Sequence, residues 1–258
     1  MTRAGSKVPS AGAEGNRAVP LDVDPDQHLG QTEDCRMSGN WYVRLTRYAS
    51  AHMVYAQMAQ NSCGMACMMM VNFKMKKGLM AAGIGASGAV SVVPVIGSYL
   101  GATLAHSAID YAVKTEPQVY KEYTKVTGSP YDGSAYSDCS FFPEVLKNLG
   151  LGNWETHWAT QSGFAKAAKD ATAAGGPVIG LVEWSGGGAH FVVIDEFHGK
   201  NACVCDPWDG QVHVTPMTDG SPVTYNADPV IGWSIGGTKG TYPTGQTGIF
   251  NGWIVRRK

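Results

Sequence analysis

Cys63 stands directly after Asn61-Ser62 and opens a segment, Cys63 to Lys77, in which Ala66, Met69, Met70 and Phe73 recur at helical spacing. Ser62 is the expected N-cap and Gly78 the expected stop. At the first turn of a helix, unpaired backbone N–H groups and the helix dipole favour an anion, which is the setting a thiol nucleophile needs. By residue type alone, Cys63 reads rather as a small buried hydrophobe. A base is what changes that reading, and among the seven histidines His190 stands out. Gly186-Gly187-Gly188 leads into it at the mouth of an apolar strand, and glycines there leave room for a substrate backbone.

The chain then turns through His198-Gly199-Lys200-Asn201 as a hairpin, and positions 190 and 206 lie symmetrically about 198. Asp206 is therefore expected directly opposite His190, on the same sheet face, where its carboxylate can accept the imidazole N–H and hold the ring. Pro207 ends that strand. The remaining histidines carry less: His28 falls in the leader, His52 and His106 on expected helices, His198 in the turn, and His157 and His213 have no placed partner. Cys203 and Cys205, two apart on a strand, share a face, but no second ligand pair stands beside them in the sequence. Neither a metal nor an organic cofactor is expected.

Residues 1–38 mix Gly, Pro, Asp, Glu and Ser with few aromatic or branched side chains, the composition of a flexible leader. No apolar stretch follows Arg3 and Lys7, so no secretory signal peptide is expected. Leu79 to Ile109 lacks any charged side chain, which opens the possibility of membrane contact. Its glycines and Pro94 favour buried core helices instead. Short helices are expected over 143–149 and 162–174, and strands over 177–184, 189–197, 202–206, 211–215 and 252–256. Helices first and an antiparallel sheet after make an α+β domain over 39–258.

Composition narrows the function classes. With 20 Lys and Arg against 21 Asp and Glu in 258 residues, the net charge of −1 gives no broad field for nucleic acid or anionic lipid. Six cysteines are too dilute for a disulfide scaffold, so reduced thiols are expected. Met65, Met68, Met69, Met70 and Met75 suit an adaptable core, and Trp184 and Trp208 flank the candidate strands as cleft walls or edge seals.

Gln57 precedes Cys63 by six residues, and Cys63-Gly64-Met65-Ala66 follows. This resembles the QxxxxxCGxA signature of papain-like cysteine peptidases, particularly the branch that processes bacteriocin leader peptides. Ala189-His190 and the run Val204-Cys205-Asp206-Pro207-Trp208-Asp209-Gly210 are similar to that branch's second signature. The resemblance implies a papain-like fold, with an N-terminal helical part carrying the nucleophile helix against a C-terminal antiparallel sheet. It further implies Cys63 as nucleophile, His190 as general base and acid, Asp206 as orienting residue, and Gln57 as side-chain donor of the oxyanion hole, with Gln60 the rival donor. A glutamine amide and a backbone N–H are the donor types that stabilise an attacked carbonyl oxygen.

The similarity spans about residues 55–78 and 160–210. The transporter segment that carries many leader peptidases is not in this sequence. Free-standing members of this clan are often exported bacterial effectors or toxins with a cognate immunity protein. The implied partners are therefore a protein or peptide substrate and an inhibitor protein, in a chain made in the cytoplasm and exported without a signal peptide. Deamidation and acyl transfer share the acyl-thioester chemistry, and a non-catalytic peptide-binding or membrane-acting module remains the alternative of a different class.

Overall fold

The computed structural model describes residues 41–46, 48, 50–85, 115–226, 234–235 and 247–258. The expected leader at 1–38 and most of the uncharged stretch to Ile109 lie outside them, and so does His106. Among the described residues no helix is long and apolar enough to cross a membrane.

The described residues open with a hairpin ahead of the expected helical part: β1 (Trp41–Thr46) and β2 (Ala51–Tyr55) pair antiparallel, and β9 (Ser234–Ile235) adds to β1. His52 therefore lies on a strand. Helix α1 (Cys63–Gly85) follows, then α2 (Glu116–Thr127), a 3-10 turn at Cys139–Phe141 leading into α3 (Phe142–Asn148), and β3 (Trp154–Trp158). Next come α4 (Thr160–Ala173), β4 (Val178–Trp184), β5 (Ala189–His198), β6 (Asn201–Asp206), β7 (Gln211–Pro216), β8 (Thr224–Asn226) and β10 (Thr247–Arg257). The second sheet runs β3-β10-β4-β5-β6-β7 with β8 on β10, antiparallel throughout. Mixed helix and antiparallel sheet agrees with the α+β class.

Both faces of the central strands are covered, which explains their near-continuous apolar runs. Phe191 and Val193 of β5, with Cys203 and Cys205 of β6, join the core around α1. Val192 and Ile194, with Ala202 and Val204, join Phe164, Ala165 and Ala168 of α4. From Met65 to Val71 every residue of α1 is buried, so the helix is enclosed on all sides and needs no polar stripe. Gly78 does not stop α1, which runs on to Gly85; one glycine in a helix interior costs only about 1 kcal/mol. Gly150, just after α3, takes the left-handed conformation that ends a helix, with φ of 80°.

The hairpin between β5 and β6 decides where the candidate residues fall. His198 pairs with Asn201 and Glu196 with Cys203, but Ile194 pairs with Val204 and Val193 with Cys205, so Asp195 is an extra residue in the ladder. Counted from the turn without that bulge, Asp206 would stand against Val193, whose side chain points to the face opposite that of His190. The bulge moves Asp206 one step, against Val192, and so onto the face of His190. The two are diagonal neighbours, not the directly opposed pair that a count about position 198 suggests.

Candidate active site

Three of the four residues singled out in the sequence come together. His190 Nε2 and Asp206 Oδ1 are 2.7 Å apart, with His190 nearly buried and Asp206 fully so. The Cys63 thiol is close enough to the same ring to favour its protonated form. With Nε2 on the carboxylate, Nδ1 is the ring nitrogen left for other partners. The loop before α1 is tied to the end of β6 by the Gln57 N–H donating to the Pro207 carbonyl at 2.7 Å, which brings the helix start to the Asp206 end of the strand.

Asp206 is held from three sides. Besides His190, the Trp208 N–H donates to Oδ1 at 2.8 Å and the Tyr225 hydroxyl to Oδ2 at 2.6 Å. Burial alone would push this carboxyl up, but the His190 and His213 rings and these hydrogen bonds hold it below the usual carboxylate range. Burial likewise works against a charged His190. Asp206, with Cys63 adding to it, outweighs that and pushes the ring up to about 10. The Trp184 ring stacks on His190 with centroids 5.9 Å apart, covering one face of the imidazole.

The Cys63 loop is braced by residues far away in sequence. Buried Glu116 accepts the Met58 N–H at 2.9 Å and the Tyr120 hydroxyl at 2.5 Å. The Tyr131 hydroxyl donates to the Asn61 carbonyl at 2.8 Å, and the Asn61 N–H donates to the Gly133 carbonyl at 3.1 Å. Ser62 occupies the N-cap position by its carbonyl, which accepts the Ala66 N–H at 3.0 Å, but its hydroxyl turns back to Ala59. Gly64 is required by contact: a Cβ there would lie 2.4 Å from both Phe142 Cζ and Ser137 Oγ. Around Gly186-Gly187-Gly188 the opposite holds, since a Cβ at any of the three would meet nothing within 4 Å.

Compared with protein-family models and with curated proteins, the chain matches none. The case for the site therefore rests on its own geometry.

Gln57 is the residue that geometry treats differently from the sequence expectation. Its Nε2 donates to the Ala59 carbonyl at 2.8 Å and the Gln60 carbonyl at 2.9 Å, so both amide hydrogens are turned into the loop. Its Oε1 is buried without a partner. In this arrangement Gln57 shapes the turn before Cys63, and serving as an oxyanion donor requires its amide to rotate. Gln60 contributes its backbone carbonyl to the same turn.

Tyr225, Glu116 and Tyr131 went unnoticed in the sequence, because each reaches the site through tertiary packing and none sits in a local motif. His213 does have a partner: its Nε2 is 2.7 Å from Asp209 Oδ2, a second buried His–Asp pair behind the first. Asp209, in the run Asp206-Pro207-Trp208-Asp209, was the signal available for it. Among the described residues Cys63, Cys67, Cys139, Cys203 and Cys205 are not disulfide-bonded.

Proposed function

We propose that the protein is a cysteine peptidase of papain-like type, acting on a peptide bond of a protein substrate. The observation that carries the reading is the buried Cys63–His190–Asp206 arrangement, with Asp206 on His190 Nε2 at 2.7 Å and the thiol close to the same ring. In this mechanism a proton passes from the thiol to His190, and Cys63 Sγ attacks the carbonyl carbon. The resulting oxyanion is stabilised by backbone N–H groups at the start of α1 and, after rotation of its amide, by Gln57. His190 protonates the leaving amine, and the C–N bond breaks to leave an acyl-thioester. A water, deprotonated by His190, then attacks that carbonyl and releases the acid and the thiol.

The open, glycine-lined approach to His190 suits an extended peptide lying across β5. Export of the chain as an effector or toxin, with an inhibitor protein in the producing cell, belongs to the same reading through the family resemblance. The engaged amide of Gln57 favours a second reading, in which the cleft grips a peptide without cutting it.

Incubation with a mixture of denatured proteins, followed by mass spectrometry, separates these readings. New termini that vanish in Cys63→Ala support the peptidase. A +1 Da change on Gln or Asn side chains supports deamidation on the same residues, and peptide retention without an acylated Cys63 supports the binding module.

A further inference from the structure

A second cluster of reactive side chains lies where β2 crosses β5 and β6. The bulge at Asp195 that aligns the candidate active site has another consequence: Asp195 and Glu196, adjacent in sequence, both project to the face of Cys203 and Cys205. They take opposite sides of one imidazole, that of His52 on β2. Its Nδ1 is 2.6 Å from Asp195 Oδ2, and its Nε2 is 3.3 Å from Glu196 Oε1 and 3.0 Å from Ser50 Oγ. One ligand atom each from His52, Glu196 and Cys203 fall within 4.8 Å of one another. The sequence places no further ligand beside Cys203 and Cys205; in the fold the β1–β2 hairpin brings His52 to them.

We propose that His52 Nε2, Cys203 Sγ and Glu196 Oε1 form a site for a thiophilic divalent cation, zinc in the first instance, with water in the fourth position. The donor set of imidazole, thiolate and carboxylate is one that zinc accepts. The Nδ1 side is closed to a cation, because the Lys74 ammonium already pairs with Asp195 there. That pairing gives the site its outer shell: Asp195, fixed by Lys74, accepts the Nδ1–H and so presents the Nε2 lone pair to the metal. On the rim, His198 Nε2 holds Glu196 Oε1 at 2.8 Å, and the Tyr48 ring stacks on His198 with centroids 4.1 Å apart. The side chains of Glu196 and His198 are 37% and 33% exposed, which provides the way in, whereas His52 and Cys203 are buried. On binding, the metal takes the place of the Cys203 thiol proton and of any proton on Nε2, and these pass to solvent.

The test uses the full chain with Cys63→Ser, which removes the candidate nucleophile as a rival thiol ligand. The protein is stripped with chelator, given Zn2+, passed through gel filtration and analysed for metal. A parallel sample with Co2+ reads thiolate ligation by its charge-transfer absorption. One equivalent of zinc per chain and a raised melting temperature are expected. Cys203→Ser and His52→Gln abolish both, and Cys205→Ser retains them. Asp195→Asn and His198→Gln weaken binding about 10–100-fold, as loss of outer-shell partners does. Should the buried variants fail to fold, Glu196→Gln at the half-exposed rim carries the test, with loss of stoichiometric zinc expected. No retained zinc in the parent, or zinc retained equally in Glu196→Gln and Cys203→Ser, overturns the proposal. Because Cys63 is absent throughout, neither result bears on the peptidase reading.

Discussion

Asp206→Asn keeps the shape of the side chain and removes its charge, and so isolates what that charge does for His190. In the wild type the Asp206 carboxylate, acting against burial, pushes the ring from the ordinary 6.5 up to about 10. At 1.36 kcal/mol per pH unit, that is a proton held about 5 kcal/mol more tightly than in the unfolded chain. Asn can still accept from His190 Nε2 and the Trp208 N–H through Oδ1, and the Tyr225 hydroxyl can turn to accept from Nδ2, so the fold survives. The electrostatic part does not, and the imidazolium that the proposed mechanism requires beside Cys63 becomes scarce. Alkylation of Cys63 by iodoacetamide at pH 6, followed by peptide mapping, is expected to slow at least about tenfold, which needs only about 1.4 kcal/mol of that stabilisation to be lost. Stability carries the same signature. A group whose folded pKa is raised contributes fully below its unfolded value and loses that contribution as pH climbs toward its folded value. The melting-temperature advantage of wild type over Asp206→Asn is therefore largest near pH 6 and shrinks as pH rises to about 10. Equal alkylation rates at pH 6, together with a gap in melting temperature that does not change with pH, would refute the reasoning.

Three further outcomes follow from packing and hydrogen bonding. Tyr225→Phe removes a 2.6 Å hydrogen bond to the buried carboxylate of Asp206 and is expected to cost about 1.5–3 kcal/mol in urea unfolding, with slower Cys63 labelling. Gly64→Ala gains up to about 1 kcal/mol of helix propensity but forces a Cβ to 2.4 Å from the Phe142 ring. Overpacking wins, with a net loss of about 1–3 kcal/mol and a displaced Cys63 that labels more slowly; an unchanged melting temperature would show that the Phe142 side gives way freely. Phe142→Ala empties a fully buried position whose ring lies 5.0 Å from that of Phe191, and is expected to cost about 3–5 kcal/mol by denaturant titration.

Much of the second half was legible because its strands are short apolar runs punctuated by Gly and Pro, and antiparallel order leaves few ways to connect them. Helix α4 and the strands β4 to β7 fall within two residues of the sequence reading. The β1–β2 hairpin and α2 did not stand out. Trp41–Thr46 mixes Arg with aromatics, and α2 has a mean composition too polar to announce itself before its buried face, Val119 and Tyr123, is seen against α1. The pairing of His190 with Asp206 was legible from spacing, yet for an incomplete reason. Symmetry about the turn says nothing of a bulge, and the extra residue at Asp195 is what turns Asp206 to the correct face. Gln57 shows the opposite limit. Residue type marks it as a donor, but which carbonyl receives its hydrogens depends on a turn shape that sequence does not encode locally.

The most direct test of the central claim, that Cys63 is a nucleophile activated by His190, is peptide-mapped labelling of all six cysteines with limiting iodoacetamide at pH 6. Cys63 is expected to label first, and His190→Ala to slow it while the folded state persists. Labelling of Cys63 no faster than that of the other thiols, or a rate indifferent to His190→Ala, would contradict it.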